Sequence, residues 1–181
     1  NQTVQDLEIC IVCDGSPVGM VGFFRQLAVR DPRIRVFSFP KSPRTGEPYR
    51  DEVIRQTTGK IICYCCHDDL WLPDHVETVE QTLLDHEFTH TLHASLNTPE
   101  GIDRTGDLFF TIYHANLQDP ACAARILLNR NYFGLTFGAH TRAGYFQLAE
   151  GWVSTPVKDL PTDLYMWQKW IAAFPGRIAT T

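Results

Sequence analysis

The sequence lacks several features that would each assign it to a defined class of protein. It has no apolar run of the roughly 18–20 residues that a membrane-spanning helix needs, and no signal peptide opens it. It also lacks an excess of positive charge, since 16 Lys and Arg stand against 21 Asp and Glu. A net charge of −5 provides no positive field for a polyanion. We therefore expect no nucleic-acid partner.

Internal repeats and low-complexity tracts are also absent from the sequence. A chain of 181 residues with 44% hydrophobic content is long enough to bury one substantial core. We therefore expect a single domain over residues 1–181. Without an export signal, a cytoplasmic location is the default expectation, and any membrane association would come through segments outside these residues.

The six cysteines do not form a pattern typical of a metal site or a disulfide framework. Most of them lie in LEICIVC and KIICYCC, which are rich in β-branched and apolar residues and typical of strands. Side chains alternate between the two faces of a strand, so Cys10 and Cys13 point to opposite sides of the sheet. We therefore interpret the cysteines, including Cys63 and Cys65, as buried free thiols in a reducing compartment. A zinc site is the less favoured alternative.

Strand and helix patterns alternate along the first half of the chain. The strands are predicted at 7–13, 33–39 and 60–66, and the helices that follow them at 20–29, 49–59 and 73–84. Further strands are predicted at 88–96 and 108–114, and further helices at 119–130 and 162–176. This order predicts a mostly parallel sheet with crossover helices, and such sheets bind ligands at the carboxyl ends of their strands.

Acidic residues follow two of these strands. Asp14 comes directly after the first strand, and His67, Asp68 and Asp69 follow the third. Carboxylates that converge on one edge need a cation or a hydrogen-bonding ligand between them, and oxygen ligands favour Mg²⁺ or Mn²⁺ with phosphate oxygens completing the shell. The alternative is structural: Asp14 would cap a turn, and Asp69 would cap the helix that starts near Pro73.

Three stretches of the sequence resemble motifs of a known family. NQTVQDLEICIVCDGS is similar to Q-T-x-x-D-x-E-I-x-V-V-D-D-G-S, and RDPRIRVFSFP contains a D-x-R-I segment. YRDEVIRQTTGKIICYCCHDDLWLPDH is similar to A-R-N-x-G-I-x-x-A-x-G-x-Y-I-x-x-L-D-x-D-D-x-W-x-P. Their order and spacing up to about residue 80 resemble those of the family 2 glycosyltransferases. In the second half, FGAHTRAGY and PTDLYMWQKW resemble the acceptor-side segments of that family.

The resemblance implies an α/β protein of the GT-A fold, with a Rossmann-like, mostly parallel sheet and flanking helices. Residues 1–80 would form the nucleotide-sugar-binding half and residues 81–181 the acceptor-binding half. The opening strand of the family is not among these residues. A sheet without that strand would have an exposed edge or an open pocket.

The resemblance also implies an activity. It is an inverting, hexosyltransferase-type reaction that moves a sugar from a nucleotide-diphosphate sugar, such as a UDP-sugar, to a hydroxyl of a glycan or other acceptor. It would use Mn²⁺ or Mg²⁺. The alternative is a catalytically inactive glycosyltransferase-like binding module. A sugar-phosphate nucleotidyltransferase is disfavoured, because no glycine-rich phosphate loop precedes the first strand.

On the donor side, the resemblance assigns Asp14 and Arg50 to the nucleotide. It assigns Asp68 to the metal ion, as the second aspartate of a D-x-D motif, with His67 and Asp69 as neighbouring substrate-binding candidates. The sequence departs from the family pattern in three places: the first D-x-D aspartate is Cys66, the first of two aspartates before Gly-Ser is Cys13, and the asparagine of A-R-N is Asp51.

On the acceptor side, the resemblance assigns Asp163 as the general base and places His140 near the acceptor. Because Asp163 follows Pro161 at the start of a predicted helix, it is also interpretable as an acid that interacts only with the positive end of that helix. Trp152, in a loop, is a candidate for stacking on a sugar ring.

Overall fold

The computed structural model describes residues 2–97 and 109–181. The strands in chain order are β1 (Ile9–Asp14), β2 (Ile34–Phe39), β3 (Ile61–Cys63), β4 (Phe88–His90), β5 (His93–Asn97), β6 (Phe109–Tyr113), β7 (Gly138–Thr141) and β8 (Ile178–Thr180). The helices are α1 (Val18–Arg30), α2 (Glu47–Arg55), α3 (His75–Thr82), α4 (Pro120–Leu127), α5 (Arg142–Tyr145) and α6 (Thr162–Ala173), with a 3-10 turn at Leu135–Phe137. Each predicted strand and helix has a counterpart in this order, and the predicted strand 88–96 is divided into β4 and β5. Leu108, where the next predicted strand begins, lies outside the described residues.

The strand pairings are mixed rather than mostly parallel. β1 and β2 pair in parallel, as a strand–helix–strand unit requires, and β4 and β8 are also parallel. β7 lies between β3 and β4 and is antiparallel to both, while β5 and β6 form an antiparallel pair. The chain is therefore an α/β protein in which the returning strand β7 introduces antiparallel pairing that the simple alternation of elements does not predict.

An open slot separates β1 from β3 in the described part of the chain. The carboxylate oxygen Oε1 of Glu8, just before β1, accepts hydrogen bonds from the backbone N–H groups of Thr58 (2.5 Å) and Gly59 (2.7 Å), just before β3. The two strands therefore start at the same end and lie side by side without pairing. The slot has a volume of about 150 Å³ and is lined by side chains of β1, β3 and α2, among them Cys10, Val12, Val53, Ile54 and Ile61. The slot is thus an open pocket on the side of β1 that does not pair with β2.

The third strand is shorter than the sequence predicts. β3 ends at Cys63, and the next residue, Tyr64, is buried in the core, where its hydroxyl lies 2.6 Å from Nε2 of His140. The chain beyond Tyr64 leaves the sheet as a loop and re-enters regular structure only at α3. The acidic residues are therefore carried by a loop that starts at the end of β3.

The core is aromatic and centres on α6. Trp167 and Trp170 are completely buried, and Phe88 of β4 packs against both of them. These contacts fix the position of the helix whose first turn carries Asp163. Among the described residues, no helix is both long and apolar enough to cross a membrane.

The ends of the other helices follow local signals to different degrees. Asp119 caps α4, because its side chain accepts a hydrogen bond from the N–H group of Ala121 (2.9 Å). α3 is shorter than the predicted helix at 73–84. Val76, Val79 and Leu83 are buried, but Leu84 lies beyond the last helical turn and is 72% exposed.

Candidate functional site

Asp14 ends β1 and organises the loop that follows β2. Its carboxylate accepts hydrogen bonds from Nζ of Lys41 (2.5 Å), from Oγ of Ser42 (2.9 Å) and from the backbone N–H of Ser42 (2.5 Å). Burial alone would raise the pKa of Asp14, but these bonds outweigh it and lower the pKa below its ordinary value. Asp14 therefore stays ionised at neutral pH and holds the loop, which agrees with the structural alternative.

The same loop connects Asp14 to the start of α2. The backbone N–H of Gly46 donates to Oγ of Ser42 (2.9 Å), and Gly46 has a φ of 79°, which glycine adopts without strain. A Cβ atom at Gly46 would lie 3.4 Å from Asp14, so this close approach also favours glycine. Next to it, Oγ1 of Thr45 lies 3.0 Å from Oγ1 of Thr162 in the first turn of α6. The loop thus links the end of β1 to the start of α6.

Arg50 lies beneath this loop, largely buried. Its Nη2 atom donates to the carbonyl oxygen of Thr45 (2.8 Å), and its guanidinium lies 5.0 Å from the ring centroid of Trp152. Its Nη1 atom is buried and has no hydrogen-bond partner among the described residues. Burial lowers the pKa of Arg50, and Tyr64 is the first of the groups that act in the opposite direction. Through Thr45, whose hydroxyl lies 3.0 Å from that of Thr162, Arg50 is linked to the start of α6.

The loop after β3 gathers three metal-ligating groups. One atom each from Cys66, Asp68 and Asp69 lie within 4.8 Å of one another, and in the part of the chain that the structure describes this is the single group of its kind. The side chain of Asp68 is 72% exposed, and Nδ1 of the almost fully exposed His67 lies 3.9 Å from Oδ1 of Asp68. Two carboxylates and a thiol at this spacing form a donor set that fits one divalent ion after small side-chain adjustments.

Thr136 fixes two of these three residues, and no local pattern in the sequence marks it. Its hydroxyl donates to Oδ2 of Asp69 (2.5 Å) and accepts a hydrogen bond from the backbone N–H of Cys66 (2.9 Å). Thr136 lies in the 3-10 turn before β7, about 70 positions further along the chain. The prediction that Asp69 could cap the following helix is wrong, because α3 begins at His75 and Asp69 bonds to Thr136 instead.

Trp71 is a second functional candidate beyond the predicted residues. Its Nε1 atom donates to the carbonyl oxygen of Thr136 (3.3 Å), and its ring stacks on His75 with centroids 4.4 Å apart. These contacts anchor the far end of the acidic loop to the start of α3. The tryptophan of the D-D-x-W-x-P pattern at this position is a signal that could have identified it.

Asp163 lies in the first turn of α6 and is half-buried. Its Oδ1 atom accepts a hydrogen bond from the backbone N–H of Leu164 (2.8 Å), and Nδ2 of Asn131 lies 3.4 Å from both carboxylate oxygens. The preceding segment is held by Arg44, whose Nη2 atom donates to the carbonyl oxygens of Lys158 (2.9 Å) and Leu160 (3.2 Å). The carboxylate of Asp163 is therefore held in place at the start of α6 and can still accept further hydrogen bonds.

His140 is placed in the core rather than on an acceptor surface. It is completely buried and stacks on Trp170, and burial lowers its pKa to about 4. Its Nδ1 atom must donate to the carbonyl oxygen of Thr141 (3.0 Å), so the neutral Nε2 atom accepts the hydroxyl hydrogen of Tyr64 (2.6 Å). The role of His140 in this structure is to hold the core together.

Trp152 is likewise buried, with 2% of its surface exposed. Its Nε1 atom donates to the hydroxyl of Tyr64 (2.8 Å), and its backbone N–H donates to the hydroxyl of Tyr145 (2.7 Å). Because its ring faces Tyr64 and Arg50 rather than solvent, the arrangement leaves no face of Trp152 for a sugar ring.

The cysteines are all free, but their environments differ. Burial raises the pKa of the Cys63 thiol to about 12, which agrees with a structural thiol. Cys65 is exposed, so the prediction of a buried thiol is wrong at this position, because the chain has already left the sheet there. Cys10 and Cys13 do not belong to the described metal-ligating group.

These features define the chain as an α/β protein of the GT-A type, with an acidic loop, a buried arginine and a helix-start aspartate around the ends of β1 and β3. The profile described as Glycosyl transferase family 2 matches residues 1–147, and the chain therefore belongs to family 2 of the glycosyltransferases. Members of this family are generally inverting enzymes that use a nucleotide-sugar donor and an acceptor. A search of the curated proteins finds no match to the chain.

Proposed function

We propose that the chain transfers a hexose from a nucleoside-diphosphate sugar to an acceptor hydroxyl, with inversion and with a divalent ion, Mn²⁺ or Mg²⁺, bound at Asp68. In this reaction the acceptor oxygen forms a bond to the anomeric carbon while the bond from that carbon to the diphosphate breaks. The electron pair of the broken bond leaves with the nucleoside diphosphate. The acceptor proton passes to a carboxylate of the protein.

The observation that carries this proposal is the position of Arg50. Its Nη1 atom is buried without a described partner, and its Nη2 atom donates to the carbonyl oxygen of Thr45, whose hydroxyl lies 3.0 Å from that of Thr162 in the first turn of α6. An unpaired cationic donor therefore lies close to the helix start that carries Asp163. A donor diphosphate bound by Arg50 would thus lie near an acceptor bound at the start of α6.

The donor side needs positive charge and hydrogen-bond donors for a diphosphate. Nη1 of Arg50 is a buried donor without a protein partner, and an anionic oxygen of the ligand would satisfy it. Asp68, exposed at the tip of the loop, would hold the ion together with Asp69. The ion supplies neutralisation of the charge that develops on the leaving diphosphate. Asp14 acts on the nucleotide through the loop that it holds, since its carboxylate is already engaged by Lys41 and Ser42.

The acceptor side needs a base. Asp163 is the candidate, because the bond from the N–H of Leu164 fixes it in the first turn of α6 and its carboxylate can still accept a further hydrogen bond. It lies beyond residues 1–147, the part of the chain that the family profile matches, so its assignment rests on this geometry and on the sequence resemblance.

A turnover assay tests the proposal. The chain is incubated with UDP-, GDP- and dTDP-sugars and a panel of glycan acceptors, with Mn²⁺ or with EDTA, and nucleoside diphosphate release and glycosylated product are measured. We expect metal-dependent release with at least one donor, and a product of inverted anomeric configuration. If the chain binds a nucleotide-sugar but forms no product with any acceptor of the panel, it is an inactive binding module and not an enzyme.

A further inference from the structure

The group of Cys66, Asp68 and Asp69 differs chemically from a site made only of oxygen ligands. A sulfur atom stands where the D-x-D pattern has its first aspartate, and it lies within 4.8 Å of a carboxylate oxygen from each of the other two residues. Two neighbouring ligands on one ion, bound at about 2.0–2.3 Å, are about 3–4 Å apart, and only ligands on opposite sides of the ion reach about 4.6 Å. Side-chain rotations that bring the three donor atoms roughly 1 Å closer together would therefore let them share an ion.

The local structure keeps the sulfur at the site. The backbone N–H of Cys66 and the carboxylate of Asp69 are both bound to the single hydroxyl of Thr136. Cys66 is also half-buried, whereas the side chain of Asp68 is 72% exposed. The backbone of Cys66 and the carboxylate of Asp69 are thus held at one point, and the exposed side chain of Asp68 is free to turn towards an ion.

We propose, resting on the metal site of the proposed function, that the Cys66 thiolate is a ligand of the ion and gives the site a preference for thiophilic divalent ions. Mg²⁺ takes oxygen ligands almost exclusively, whereas Zn²⁺ and Co²⁺ accept thiolate together with carboxylate. The site therefore ranks Zn²⁺ and Co²⁺ above Mn²⁺, and Mn²⁺ above Mg²⁺. The thiol releases its proton to solvent when the ion binds.

Cobalt absorption distinguishes a thiolate ligand from a bystander thiol. Binding of Co²⁺ through sulfur produces an intense ligand-to-metal charge-transfer band in the near ultraviolet, which binding through oxygen alone does not. The whole chain is titrated with Co²⁺ under non-thiol reducing conditions, and Zn²⁺, Mn²⁺ and Mg²⁺ are titrated by calorimetry, with and without UDP. The variants are Cys66→Ser, Cys66→Asp and, as a matched control, Cys65→Ser at the neighbouring exposed thiol.

We expect the parent and Cys65→Ser to show the band and to bind Zn²⁺ at least about tenfold more tightly than Mn²⁺. Cys66→Ser should lose the band and weaken Zn²⁺ and Co²⁺ binding by about tenfold or more, with Mn²⁺ and Mg²⁺ affinity unchanged, and Cys66→Asp should favour Mn²⁺. If Co²⁺ binds without producing the band, or if Zn²⁺ binds equally well to the parent and to Cys66→Ser, Cys66 is not a ligand of the ion. A metal site formed by the carboxylates would still be compatible with that result. Absence of binding by every ion, with and without UDP, overturns both this inference and the metal dependence of the proposed function.

Discussion

The guanidinium of Arg50 lies 5.0 Å from the ring centroid of Trp152, a side chain that is only 2% exposed. Trp152 is fixed in turn by its bonds to the hydroxyls of Tyr64 and Tyr145. The stacked tryptophan thus holds a cation at a buried position, from which one donor atom, Nη1, is directed at no described partner. This arrangement is typical of a preorganised anion-binding group.

Replacement of Arg50 should weaken nucleotide binding. In Arg50→Met the stem still packs on Trp152 but the charge is lost, and we expect the affinity for a nucleoside diphosphate to fall by about 10- to 100-fold, since a hydrogen bond to a charged group contributes about 1.5–3 kcal/mol. Arg50→Lys keeps the charge but not the planar guanidinium group, and it should lose less affinity than Arg50→Met. Calorimetric titration of the two variants measures this difference, and equal affinity of Arg50→Met and parent would remove Arg50 from the donor site.

Replacement of Asp163 distinguishes two possible roles of this residue, a general base in the reaction and an acid that only interacts with the start of α6. Asp163→Asn keeps the shape of the side chain, and we expect turnover to fall by about 10² to 10⁴ with nucleotide-sugar affinity nearly unchanged, because only proton transfer is lost. Steady-state kinetics with a competent donor and acceptor measure both quantities. Asp159→Asn, at an exposed acid four positions earlier, is the control and should retain full activity. Turnover of Asp163→Asn within a few-fold of the parent would leave Asp163 as a helix-end acid only.

Buried histidines should make the protein less stable in mild acid. Burial lowers the pKa of both His90 and His140 to about 4, so between about pH 6.5 and 4 the unfolded chain binds protons that the folded chain does not. The free energy of unfolding should therefore fall as the pH is lowered through this window, by up to about 2 kcal/mol per histidine between pH 6.5 and 5.

Denaturant titrations at about pH 7 and pH 5 test this pH dependence. His140→Gln should be less stable than the parent at pH 7, where the bond to Tyr64 is lost, but should lose only about half as much stability on acidification. His67→Gln, at an almost fully exposed position, should behave like the parent. An unchanged acid sensitivity in His140→Gln would show that His140 is not neutral in the folded state.

The two thiols around the end of β3 should differ in their effect on stability. Cys63→Ser should lower the free energy of unfolding by about 1 kcal/mol, because a hydroxyl replaces a thiol in apolar surroundings. Cys65→Ser should change it by less than about 0.5 kcal/mol, since Cys65 is exposed. Thermal or denaturant unfolding of both variants provides the comparison. Equal losses of unfolding free energy in the two variants would contradict the conclusion that the strand ends at Cys63.

The elements that the sequence predicts correctly are those whose signals are local. Asp119 and Pro120 mark the start of α4, and the apolar spacing of α6 predicts the burial of Trp167 and Trp170. The early end of β3 and the antiparallel position of β7 were not predictable in the same way. Both involve residues that meet only in the folded chain, since the bonded Tyr64 and His140 are 76 positions apart.

The candidate site was predictable as a set of residues but not as a set of contacts. Asp68 and Asp163 follow from motifs, whereas Thr136 has no local signal, because its importance comes only from the bonds it makes to Cys66 and Asp69. The placement of His140 in the core was missed for a similar reason. A histidine on a strand does not reveal from its neighbours which face of the sheet will be buried.

The most direct test of the central claim is a calorimetric titration of the chain with UDP, GDP and dTDP, with and without Mn²⁺, in the parent, Asp68→Ala and Asp74→Ala. We expect at least one nucleotide to bind only with the metal ion, and Asp68→Ala to abolish this binding without loss of the fold. Asp74→Ala removes an exposed acid whose side chain makes no capping bond, and it should retain the binding. Nucleotide binding that is equally strong without metal and in Asp68→Ala would contradict a metal site at Asp68.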